Sequence, residues 1–211
     1  MRDDKIFIKA WHRAASQAIL DQISDEIGEK FTISVGGESG SGKSEIALAL
    51  KEVLEANGFP TGVLQADDYF IYMSQVCDAL RRKCLALVGP NEVKLDFMDC
   101  HLRSFKQGVA DIYKPIAVYQ EARFEREVMP VMNLRVLIAE GTYCTLLEFA
   151  DSRVFIDRDF HDTLEDRNTR GRDLMDEFTE KILEIEHKIV KEHKQRAKII
   201  VCNDGTIQTQ R

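Results

Sequence analysis

Proline is scarce in this chain, with four in 211 residues, and only 12 residues are glycine. That excludes a collagen-like repeat and a Pro/Gly-rich disordered segment. Long apolar runs are absent, so no segment reads as a membrane span. The first residues carry acidic side chains and show no small-residue cleavage site behind a greasy stretch. They do not read as a signal peptide. There is no Cys-x-x-Cys, and no cysteine stands with histidine at zinc spacing. The five cysteines, Cys77, Cys84, Cys100, Cys144 and Cys202, are scattered. An odd, dispersed set reads as reduced thiols in a cytoplasmic protein, each a small core hydrophobe. An excess of positive charge is missing too. Lys plus Arg number 29 against 36 Asp plus Glu, a net charge of −7. An acidic chain argues against nucleic acid or an anionic membrane as the main partner. It leaves room for a small anionic ligand held in a local cationic pocket.

What is present is globular: 44% hydrophobic and 31% charged residues. The length suits one α/β domain with its own core. Residues 4–28 read as a helix, with Ile19, Ile23 and Ile27 on one face and Gly28 as the stop. This gives an N-terminal helical extension over residues 1–30, before a single domain over 31–211. Strands are expected at 31–35, 62–66, 134–139, 153–157 and 198–202. Helices are expected at 44–56, 75–87 and 95–108. A long amphipathic one carries Phe178, Ile182, Ile185 and Ile189. The stretch from Tyr69 to Arg126 is otherwise undetermined. Strands alternating with helices indicate a mostly parallel sheet covered on both faces, where ligands bind at the carboxyl ends of the strands.

Gly37-Glu38-Ser39-Gly40-Ser41-Gly42-Lys43-Ser44 matches GxxxxGK[ST] in full, between an expected strand and an expected helix. Glycines let successive N–H groups turn inward toward a phosphate. The helix beginning near Lys43 offers its positive end to the same anion. Lys43 adds a full charge toward the β and γ phosphates, and the Ser44 hydroxyl can ligate Mg²⁺. A nucleoside triphosphate and Mg²⁺ are therefore expected here.

A carboxylate near the metal should close a buried strand. Glu140, after Val136-Leu-Ile-Ala139, is favoured over Asp157, which reads as a solvated strand end. Asp67 and Asp68 follow the second strand. A carboxylate there could accept the proton of an attacking hydroxyl. It could equally cap the next helix, and spacing does not choose between the two acids. Arg158, Arg167, Arg170 and Arg172 stand among five acidic residues. The run reads as a lid that brings arginines onto the phosphates, against the commoner fate of a salt-bridged surface helix.

Taken in order, these segments resemble the uridine kinase / phosphoribulokinase family of P-loop kinases, from about Phe31 to Val201. SVGGESGSGKS resembles its first strand and phosphate loop, LQADDYFIY its second strand and Asp-x-aromatic-aromatic signature. VLIAEGTY is similar to its strand with Glu-Gly, and VFIDRDFHDTLEDRNTRGRD to its last strand and lid. The resemblance implies ATP as the nucleotide, and a three-layer P-loop fold with an Arg-bearing lid. It implies Asp67 as base, Ser44 and Glu140 near the metal, Arg167 and Arg170 on the nucleotide, and Arg172 on the transferred phosphate. Tyr69, Asp96, Tyr119 and Arg126 are implied at the acceptor. Gln120 and Phe124 stand where that family carries Asp and His, which counts against uridine and cytidine. The expected activity is transfer of the ATP γ-phosphate to a hydroxyl of a small metabolite. A nucleotide-dependent regulatory ATPase is the alternative, and an Asn-Lys-x-Asp guanine signature is lacking. A homo-oligomer is open.

Overall fold

The computed structural model describes residues 6–163 and 176–210. Helix α1, Ala10–Ile23, is shorter than its sequence expectation. It starts where the Lys9 N–H donates to His12 Nδ1 at 2.8 Å, and it passes into a 3₁₀ turn at Ser24–Glu26. Strand β1 (Phe31–Gly37) is buried along its whole length. It leads through the glycine loop into α2 (Lys43–Ala56). Then come β2 (Thr61–Gln65), a 3₁₀ turn at Ala66–Tyr69, α3 (Ser74–Lys83) and α4 (Leu95–Lys106). After β3 (Asp111–Val118) and β4 (Arg123–Pro130) the chain forms β5 (Val136–Glu140) and β6 (Ser152–Asp157). Helix α5 (Glu177–His193), β7 (Ile199–Cys202) and β8 (Ile207–Thr209) complete the described elements.

The main sheet has the order β2-β5-β1-β6-β7-β8. All its pairings are parallel except β7 with β8. Parallel strands buried on both faces are built from apolar, often β-branched runs, and β5 illustrates it. Val136 and Ile138 join a core with Ile19, Ile23, Ile46 and Leu50 from α1 and α2. Leu137 and Ala139 face the other way, into a core with Met98, Leu102 and Val190 from α4 and α5. This side-chain alternation makes three layers. The fold is α/β with a mostly parallel central sheet, as expected. Helix α1 contributes Ala15, Ile19, Leu20 and Ile23 to the buried core, so it packs as part of the first layer. Among the described residues no helix is long and apolar enough to cross a membrane.

The antiparallel pair β3-β4 was not foreseen. Pro115 sits inside β3, opposite Arg126, and proline is tolerated in strands only at edges. The connecting turn places Ala122 at φ 50°, without the Asn-Gly or Asp-Gly signal of tight hairpins. Most side chains of β4 are exposed, so no buried face announces it.

Candidate active site

The glycine loop, Asp67 and Glu140 are carried at the carboxyl ends of β1, β2 and β5. Gly42 enters α2 at φ +101°, a left-handed conformation that favours glycine. Ser41 N–H donates to Glu38 O at 3.1 Å, which curls the loop. Lys43 is buried, and its Nζ reaches back to Glu38 O at 2.7 Å. Burial lowers the Lys43 pKa, against the pull of Glu140 and Asp67. Ser44 Oγ donates to Glu140 Oε1 at 3.0 Å.

Glu140 closes β5, beside Val35 of β1 and Gln65 of β2 in register. Burial pushes its carboxyl up to about 7, and the nearby Asp67 adds to the shift. The next residue, Gly141, has φ +156°, and a Cβ there would lie 2.3 Å from the Ala66 methyl. Only glycine lets the end of β5 approach the Ala66–Tyr69 turn this closely.

The two adjacent acids of that turn have different surroundings. Asp68 is buried. It accepts from Lys114 Nζ at 3.1 Å and from the Ala117 N–H at 3.0 Å. Lys114 also pairs with Glu127 at 3.0 Å. Asp68 thus pins the β3-β4 hairpin to the end of β2. Asp67 is half-buried on the wall of a cavity of about 390 Å³. Burial raises its pKa and Lys43 opposes that shift.

Ser39, Phe70, Tyr143 and Ile182 share the cavity wall with Asp67. Among the described residues its cations come from α3, and both are already partnered. Arg81 makes a two-pronged contact with Glu92 at 2.7 and 2.9 Å. Arg82 lies 3.6 Å from Asp176 and over the Phe178 ring at 4.1 Å. Helical spacing places Arg81 and Arg82, but their partners are distant in sequence. No local pattern of residues signals this placement.

Several expected residues sit elsewhere. Tyr69 is fully buried in the core, with its hydroxyl 2.8 Å from His101 Nδ1. The structure therefore does not bring it to the cavity: in a 3₁₀ turn, with three residues per turn, Asp67 and Tyr69 lie on different faces, Asp67 toward the cavity and Tyr69 toward the core. Asp96 is exposed in the first turn of α4 and lines no part of that cavity. Arg126 is exposed on β4, in a separate groove with Phe97, His101 and Phe124. Tyr119 is half-buried at the hairpin turn. Burial, with the charges of Asp67 and Asp68, raises its hydroxyl pKa, and Tyr119 does not line the cavity that holds Asp67. Arg167, Arg170 and Arg172 lie outside the described residues. Asp157 is half-exposed and held by Lys194 at 2.7 Å, in line with a solvated strand end.

Glu38 was expected only as a loop position, yet its side chain is a junction. It is buried; Oε1 lies 2.7 Å from His187 Nδ1 on α5, and Oε2 accepts from the Phe160 N–H at 3.0 Å. No local spacing could reveal a contact across this much sequence.

A glycine loop with a buried lysine, a hydroxyl–carboxylate pair beside it and a second carboxylate facing a cavity define a P-loop phosphotransferase. The Phosphoribulokinase / Uridine kinase family model matches residues 32–209, and the chain belongs to that family of small-molecule kinases. It is 26% identical over 187 residues to a uridine kinase of Leuconostoc citreum (strain KM20), covering 83% of this chain and 88% of that protein. A bifunctional alpha-galactosidase/sucrose kinase of Mediterraneibacter gnavus is 25% identical over 195 residues. The match covers 86% of this chain but 21% of that longer protein. Among solved structures, a putative fructose transport system kinase from Silicibacter sp. TM1040 superposes with a TM-score of 0.61 at 16% identity, covering 88% and 93% of the two chains.

Proposed function

We propose that this protein transfers the γ-phosphate of Mg-ATP to a hydroxyl of an uncharged, polyhydroxylated small molecule. The observation that carries this reading is Asp67 on the cavity wall, close enough to Lys43 and Glu140 for their charges to shift one another.

The phosphates bind the inward N–H groups of residues 37–44, the N-terminus of α2 and Lys43. The Ser44 hydroxyl and the Glu140 carboxylate would hold magnesium. They are hard oxygen donors already within 3.0 Å of each other. No group of three or more His, Cys, Asp or Glu side chains among the described residues could hold a metal alone. Magnesium bound together with phosphates takes one or two protein ligands and completes its shell on phosphate and water. When bound, it supplies charge neutralisation between the β and γ phosphates. Asp67 orients the acceptor hydroxyl and takes its proton as the oxygen attacks phosphorus. Its raised pKa makes it a better base than an exposed aspartate. The lid arginines Arg167, Arg170 and Arg172 would hold the charge of the loose transition state, as the family resemblance implies.

The acceptor class follows from charge. Among the described residues the cations of the cavity wall, Arg81 and Arg82, already have carboxylate partners, so an acceptor phosphate or carboxylate paired with them would have to displace those partners. An uncharged polyol faces no such cost. Two of the similar proteins are named for sucrose and fructose, which agrees with this class. Five free thiols suit a reducing compartment, and we place the protein in the cytoplasm.

The test is ADP release from Mg-ATP with neutral sugars, nucleosides, sugar phosphates and glycerate, run on the protein and on Asp67→Asn. A neutral sugar or polyol should stimulate release, and turnover should fall roughly 10²–10⁴-fold in the variant. Stimulation by sugar phosphates alone would overturn the acceptor class. Tight ATP binding with no stimulation by any acceptor would favour a regulatory ATPase.

A further inference from the structure

The strand order sets a direction along the active rim. Asp67 at the end of β2 and Glu140 at the end of β5 lie on one side of β1 and its phosphate loop. The ends of β6 and β7 lie on the other. In phosphoryl transfer the attacking and leaving oxygens stand roughly in line across the phosphorus. With the acceptor on the β2–β5 side, the nucleoside must leave toward β6 and β7.

Three segments converge there. Arg158, just past β6, donates from Nε to Asn203 Oδ1 at 2.9 Å and approaches Ser41 O at 3.5 Å. Gly205 turns the chain from β7 into β8 at φ +82°. The third is Trp11 of α1. Its ring lies 3.4 Å from where a Gly42 Cβ would stand, and its Cβ lies 3.3 Å from where a Gly205 Cβ would stand. The Arg158 guanidinium lies 5.3 Å from the ring centroid. The indole is only partly buried. A flat aromatic surface backed by a cation is the kind of platform on which a nucleobase stacks.

We propose that Trp11, carried by the N-terminal helix, is part of the base-binding wall for the purine ring of the nucleotide. It stands outside residues 32–209, the part matched by the family model. The glycines at 42 and 205 leave room for the indole to close against the loop and the turn. This inference rests on the proposed placement of ATP on the phosphate loop, and the experiment separates the two.

Trp11 is the chain's single tryptophan, so intrinsic fluorescence reports on this position alone. The protein is titrated with ATP and, separately, with inorganic tripolyphosphate, which carries the phosphates and no base. Calorimetry measures binding of each. ATP should change the emission markedly, while tripolyphosphate should bind and leave it nearly unchanged. Trp11→Ala should weaken ATP binding about tenfold or more and leave tripolyphosphate affinity within about twofold. Trp11→Phe should restore most of the ATP affinity, which also controls for packing of α1. Equal fluorescence responses to both ligands, or equal loss of both affinities in Trp11→Ala, would overturn the base-wall role while leaving the phosphate loop intact. Failure of both ligands to bind the unaltered protein would overturn the nucleotide placement, and this inference with it.

Discussion

Glu38 Oε1 and His187 Nδ1 lie 2.7 Å apart and join the phosphate loop to α5, 149 residues away in sequence. The other carboxylate oxygen takes the Phe160 N–H just beyond β6. One buried side chain therefore ties the loop both to the chain just past β6 and to α5. Burial raises the Glu38 pKa, and the bonds to His187 and Phe160 lower it again.

Removing one partner leaves that carboxylate under-bonded. His187→Ala should destabilise the protein by about 1–2 kcal/mol, the cost of a lost hydrogen bond to a buried charged group, reduced for the partial exposure of His187. Thermal denaturation of the two proteins without ligand checks this. An unchanged melting temperature would show that the contact contributes no net stability.

Asp68→Asn should separate folding from chemistry. The substitution leaves Lys114 with Glu127 alone in a buried setting. Breaking a buried ion pair from one side costs about 3 kcal/mol or more when no second partner remains. With Glu127 in place, a loss of about 2 kcal/mol is expected, together with loosening of the β3-β4 hairpin. Denaturant unfolding and hydrogen exchange at residues 111–130 measure it. Asp67→Asn, in contrast, should leave the unfolding midpoint unchanged or slightly raised, because it removes a carboxyl whose charged form is disfavoured by burial.

Glu140 gives a pH dependence with a defined sign. Its carboxyl sits at about 7 in the folded chain against an ordinary value near 4.5. The folded state holds this proton more tightly, so the group's contribution is fully present below about pH 4.5 and is lost as pH rises through 7. In metal-free buffer, Glu140→Gln should match the parent protein near pH 5 and be the more stable of the two at pH 8. Melting temperatures across that range, with a chelator present, decide it. A gap that does not change with pH would mean that Glu140 is ionised throughout.

Much of this molecule is legible before folding because its signals are local. The phosphate loop occupies eight consecutive residues, and each residue type answers to one physical need. The apolar run at the end of β5 names Glu140 as a rim carboxylate, since a buried parallel strand must end where polarity returns. The regular α/β alternation likewise names the sheet. The hairpin escaped because Pro115 and a mostly exposed β4 mask it, and its stability comes from Asp68 and Lys114 across 46 residues. Sequence spacing left Asp67 and Asp68 equivalent. The turn sets them apart by placing one carboxylate on a cavity wall and the other on a lysine.

The sequence by itself determined the glycine loop between a strand and a helix, the parallel sheet and which carboxylates could stand at the rim. Chain connectivity fixes those through composition, period and adjacency. Only the tertiary structure decided which neighbours share a surface. It put Tyr69 in the core on His101, Glu38 against His187, and Trp11 between Gly42 and Gly205. Such contacts depend on how layers stack and in what order strands lie. Those are properties of packing across the whole chain, and no local window of sequence contains them.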